Sequence, residues 1–136
     1  MTRMEALTES ECWERLRARN IGRIGFDRGR GPRIHPVHYR VEDGHLRVTT
    51  SRDSELGAFS QMFADGAMVS FEVDQLDDAA AERWSVLVGA RVETVDGPES
   101  AGTAPGAPRP PEGHDELTLH LTPVEVTGRR RTDTTV

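Results

Sequence analysis

The residues of this 136-residue chain that could do chemistry fall in a few short stretches. His35 and His38 are close in sequence, but three residues of strand put their side chains on opposite faces. A shared metal would need a bulge at the intervening Pro36. No Cys-x-x-Cys or His-x-x-x-His spacing supports one, so no metal site is expected. One of the two histidines is instead a candidate ligand contact. Glu72, Asp74, Asp77, Asp78 and Glu82 form an acidic group without EF-hand spacing, and solvated side chains are expected there. The single cysteine, Cys12, lies in an apolar-periodic segment and is expected to be an inert, partly buried thiol. There is no Gly-x-Ser-x-Gly elbow and no nucleophile–base pattern, so no catalytic residue is named.

Composition removes further chemistry. All 17 cationic residues are arginine. Without lysine there is no internal aldimine to pyridoxal phosphate and no P-loop. The net charge of −6 conceals an asymmetry: residues 1–41 carry nine arginines against five acids, and residues 42–127 carry five against seventeen. Nucleic-acid binding rests on phosphate neutralisation, so an acidic chain is not expected to bind it. The basic first third could still hold one small phosphorylated ligand.

These residues need elements to position them. Thr8 with Glu11 is a capping box opening a helix over 8–19, with Cys12, Trp13 and Leu16 as its apolar stripe. Strands are predicted at 21–26 and 33–41, the second with His35, Val37, Tyr39 and Val41 on one face and His38 on the other. Asp43-Gly44 closes a hairpin into a strand at 45–50. A helix follows over about 54–64, with Leu56, Phe59 and Phe63 as its apolar face. Further strands are expected at 67–74, at 84–95, and from Leu117 to Val126. The Gly/Pro-rich stretch 97–114 is expected to be a flexible loop, and 129–136 a tail beginning with Arg129-Arg130-Arg131. The whole, 1–136, is expected to be one mainly β domain with short helices: a barrel of six or so antiparallel strands. No signal peptide and no run long enough for a membrane span is found, so a cytoplasmic protein with no membrane partner is expected.

Several segments, in order, resemble one family. They are Gly22-Arg23-Ile24, Pro36-Val37-x-Tyr39, Thr49-Thr50 before a helix, Phe71-Glu72-Val73-Asp74, Trp84-Ser85-Val86, and Pro123-x-x-Val126-Thr127-Gly128-Arg129-Arg130. Together they resemble the FMN-binding split β-barrel proteins related to pyridoxamine 5′-phosphate oxidase. The resemblance implies a homodimer with FMN in the groove between protomers. It implies Arg33 on the phosphate, His38 as a second cation with His35 as the other candidate, Thr49 and Thr50 at the flavin, and Ser54 on the phosphate side. Trp84 and Ser85 are implied at the ring edge. It further implies an oxidoreductase that passes electrons between a reduced nicotinamide or deazaflavin and a small molecule. The alternatives are F420 or haem in place of FMN, with a histidine as axial ligand in the haem case. A further alternative is a non-catalytic or degenerate dimer that binds a cofactor weakly or not at all. Asp53-Ser54-Glu55-Leu56 departs from the family's Gly-(Ser/Thr)-Lys-Leu. Glu55 puts a carboxylate where a lysine meets the phosphate, a repulsion on the order of 1 kcal/mol. Arg52 is the candidate to take the lysine's place.

Overall fold

The computed structural model describes residues 2–63, 66–94 and 116–133. The predicted loop at 97–114 lies outside them. The described elements are β1 (Thr2–Ala6), α1 (Glu9–Arg17), β2 (Ile21–Asp27), β3 (Pro32–Glu42), β4 (His45–Ser51), α2 (Glu55–Met62), β5 (Met68–Gln75), β6 (Glu82–Thr94) and β7 (Glu116–Asp133). The strands pair in the order β1-β7-β4-β3-β2-β5-β6, all antiparallel, and β6 pairs with β7 as well. Strands β2 to β7 therefore close into a six-stranded ring, with β1 attached outside it: a split β-barrel. Closure leaves these six strands no long free edge.

Local chemistry sets the joints. Thr8 Oγ1 accepts from Glu11 N, and Glu11 Oε1 accepts from Thr8 N, which completes the capping box of α1. Asp43 (φ 47°) and Gly44 (φ 77°) make the tight turn between β3 and β4. Alternation then fills the barrel. Ile24, Phe26, Val37, Tyr39, Leu46, Val48, Phe71, Val73, Val86, Val88, Leu117, Leu119 and Leu121 point inward and are buried. Helix α1 plugs one end with Cys12 and Leu16, where the Tyr39 hydroxyl donates to the Leu16 carbonyl at 2.6 Å. Burial pushes the Tyr39 phenol up to about 12 and also raises the Cys12 thiol. No helix among the described residues is long and apolar enough to cross a membrane.

Two readings of the sequence need correction. The expected tail at Arg129–Arg131 is strand: β7 runs to Asp133, paired with β6 on one edge and β1 on the other. Arg130 turns inward to Glu5 (2.8 Å) and Glu11 (3.3 Å), which neutralise it. Arg130, by hydrogen bond, holds Glu5 below the usual carboxylate range, and the Thr8 backbone does the same for Glu11. The acidic group divides: Asp77 and Asp78 are exposed, as expected, while Glu72, Asp74 and Glu82 are partnered. Arg23 bridges Glu72 (3.0 Å) and Asp74 (2.9 Å), Arg15 holds Glu82 (2.7 Å), and Asp78 lies 3.8 Å from Arg83. Burial, followed by the neighbouring Asp74, pushes Glu72 up to about 7.

Candidate functional site

The nominated residues fall into three places. The first is the start of α2. The Ser54 hydroxyl accepts from Gly57 N (2.9 Å), donates to the Ser51 carbonyl (2.7 Å), and lies 2.9 Å from Thr50 Oγ1. Thr50 and Ser54 thus make one hydroxyl pair, with Ser54 as helix cap. Glu55, the first residue of the helix, points back at β3. Its carboxylate lies 3.2 Å from His35 Nε2, 3.4 Å from Arg33 Nε and 3.8 Å from Arg28 Nη1. His35 is held from behind by the Phe26 ring, edge to face at 5.2 Å. A cavity of about 290 Å³ opens here, lined by Arg28, Arg30, Gly31, Arg33, Glu55 and Met62.

The second place is the outer face of β3, β4 and β7. The register sets His38 opposite Thr49, Thr49 opposite Thr118, and Arg40 opposite Arg47. These side chains and the Tyr39 segment line a polar cavity of about 410 Å³. Glu42 brackets it, bonding Arg40 at 2.9 Å and Arg47 at 3.0 Å. His35 and His38 do lie on opposite faces, and no group of three metal-ligating side chains occurs among the described residues.

The third place is β6, away from both. Trp84 is 9% exposed, so a single chain already covers it and no partner is needed for that. The guanidinium groups of Arg15 and Arg19 lie over its ring at 5.8 and 5.7 Å. Ser85 faces outward, opposite Arg129. Within one chain Trp84 and Ser85 are not brought to the other nominees.

Sequence reading passed over Arg28, Arg30, Arg40, Arg47 and Thr118. The alternating Arg-Gly-Arg-Gly of the β2–β3 turn was the one available signal for the first two. The extra cation facing Glu55 is Arg28 from that turn. Arg52, nominated for the task, sits in the turn before α2, where its carbonyl accepts from Gln61 Nε2 at 3.4 Å.

The pyridoxamine 5′-phosphate oxidase family profile matches residues 8–130. The chain belongs to that family. An uncharacterized Mycobacterium tuberculosis protein, Rv0080, is 32% identical over 94 residues, which is 68% of this chain and 62% of the relative. The chain thus spans less than two thirds of that relative's length. A Corynebacterium glutamicum structure is 29% identical, with TM-score 0.71, over 97% of this chain and 96% of the other. The FAD binding protein from Mycobacterium smegmatis is 26% identical, with TM-score 0.70, over 93% and 98%.

Proposed function

We propose that the chain is a flavin-binding oxidoreductase, with FMN as its cofactor and a small molecule as its substrate. The observation that carries this reading is the pair of polar cavities flanking the β4–α2 junction, on a chain of this family. Their donors suit a flavin nucleotide. Arginine forks serve a phosphate, and Thr49 offers a hydroxyl in the outer cavity beside the Thr50–Ser54 pair. His38, Thr49 and Arg47 face the outer side of the sheet, where a planar ring would lie flat. A relative at 26% identity binds FAD, which supports a flavin in general. Bound flavin supplies hydride and electron transfer, with a reduced nicotinamide or deazaflavin as electron partner. This chain's own part is to bind, to orient and to exclude water.

A homodimer belongs to the same proposal. Ser85 can meet a flavin held at the β4–α2 junction only from a second copy. Ile21, Met68 and Leu87 are exposed on the outer sheet face, and a second copy would cover them. The test is to purify the protein, record its absorption spectrum, titrate it with FMN, and measure its mass by light scattering. Flavin bands or saturable FMN binding by a two-chain particle is the expected result. A monomer that binds no flavin at micromolar concentrations overturns the reading. A Soret band would replace flavin with haem.

A further inference from the structure

We propose that β1 is a docking edge for a second copy of this chain, which pairs its own β1 there, antiparallel, about a two-fold axis at Met4. The interface is separate from the sheet face offered above to a second copy, and it does not rest on the flavin reading.

Strand β1 stands at the end of the strand order, so only one of its edges is paired. One bond shows which backbone groups face which way. Leu7 N donates to the Gly128 carbonyl at 2.9 Å, and the register continues from it through Ala6 opposite Arg129 and Glu5 opposite Arg130. Backbone groups along an antiparallel strand alternate between its two edges. Glu5 and Arg3 therefore turn their N–H and C=O to β7, and Ala6, Met4 and Thr2 turn theirs to the open edge. Such an edge is a template for another strand, and proteins usually blunt it with proline, lysine or a bulge. β1 has no proline and no lysine, and its register with β7 is unbroken. Arg3, Met4 and Ala6 are exposed.

The side chains select the occupant. In an antiparallel pair centred on Met4, Met4 faces Met4 of the second copy, Thr2 faces its Ala6, and Arg3 faces its Glu5. The outward groups of Thr2, Met4 and Ala6 then meet their counterparts in hydrogen-bonded pairs. Arg3 and Glu5 fall at the other positions, where facing side chains are closer, and opposite charges meet twice across the axis. Centring the pair on Arg3 or on Glu5 would instead set that residue against its own copy. The charge order of the strand thus favours the Met4 register, and a self-complementary order is what a two-fold interface needs. Glu5 has an oxygen to give: Oε2 accepts from Arg130 at 2.8 Å, while Oε1 lies 3.8 Å from Arg3 Nε, beyond hydrogen-bond length. The same pairing covers Met4, which is 58% exposed.

An edge of five residues is a small interface, so pairing is expected at concentrations on the order of 0.1 mM and above. The experiment measures the mass of the full chain, without an N-terminal tag, by light scattering from micromolar to millimolar concentration. It is repeated on Met4→Pro, Arg3→Glu and Arg3→Lys, with melting curves as a folding control. Met4→Pro removes a donor that faces only the open edge. Arg3→Glu sets like charges opposite each other twice. The parent's mass should double as concentration rises. Met4→Pro and Arg3→Glu should weaken association by about tenfold or more and hold the low-concentration mass, and Arg3→Lys should double as the parent does. A parent mass that does not rise overturns the docking edge, as does a rise that the folded Met4→Pro and Arg3→Glu variants share. A rise lost in Met4→Pro but kept in Arg3→Glu overturns the register. The mass at micromolar concentration reads the sheet-face contact alone: two chains accord with it, and one chain counts against it whatever the edge does.

Discussion

Gly57 is where the candidate site depends most directly on backbone packing. It lies in the first turn of α2, directly against the turn that leads into the helix. A Cβ built there would overlap the Ser51 carbonyl oxygen and sit 2.8 Å from the Arg52 carbonyl oxygen. Those atoms are backbone and cannot swing aside as a flexible side chain does. The Ser51 oxygen also accepts from Ser54 N (3.1 Å) and Ser54 Oγ (2.7 Å), so moving it breaks the cap of α2. Alanine in a helix is favoured over glycine by about 1 kcal/mol. Overpacking costs about 1–3 kcal/mol, and losing the cap costs about 1 kcal/mol more. Gly57→Ala should therefore destabilise by a net ~1–3 kcal/mol. At about 4 °C per kcal/mol for a chain of this size, the melting temperature should fall by roughly 4–12 °C. Gly25→Ala is the control, because its nearest atoms would be at 3.8 Å, ordinary contact; a shift of only about 1 kcal/mol in either direction is expected. Thermal melts followed by circular dichroism read both. A Gly57→Ala protein that melts with the parent or above it would show that the turn before α2 moves freely, and the rigid placement of Ser54 and Glu55 would fall with it.

Two further perturbations test the electrostatics and the core. The folded-state pKa of Glu72, about 7, lies above its ordinary 4.5. Its contribution is therefore fully present below pH 4.5 and is lost as pH rises through 7. Glu72→Gln should accordingly raise the melting temperature at pH 8 relative to the parent and do so less at pH 5; the same increment at both would refute the shift. Tyr39→Phe removes the buried donor to the Leu16 carbonyl. It should cost about 1–2 kcal/mol in urea unfolding, and an unchanged midpoint would mean that water replaces the hydroxyl.

Features set by neighbours in sequence were legible. The Thr8–Glu11 capping box, the Asp43-Gly44 turn and the alternation of β3 each depend on a few consecutive residues, and each is present. What escaped depends on partners far along the chain. Nothing in Thr2–Ala6 signals a strand, because β1 exists by pairing with residues more than a hundred positions away. Arg129–Arg131 reads as a charged tail until Glu5 and Glu11 are brought against Arg130. Trp84, implied at a flavin ring edge, turns out buried, with Arg15 of α1 and Arg19 just beyond that helix laid over its ring.

The same cause governs Glu55, and there it bears on function. Seventeen arginines and no lysine make every cation of this chain look alike in sequence. Folding sorts them by the carboxylates they meet. Arg23 is bridged to Glu72 and Asp74, and Arg130 to Glu5 and Glu11, each facing two acids. The cluster at α2 is built the other way: one acid faces Arg28, Arg33 and His35, with Arg30 lining the same cavity. Two carboxylates around one guanidinium leave no cationic charge for a ligand. One carboxylate shared by Arg28, Arg33 and His35 leaves the cluster at α2 net cationic. Glu55, which argues against phosphate binding in the sequence, is in the fold the acid round which Arg28, Arg33 and His35 gather.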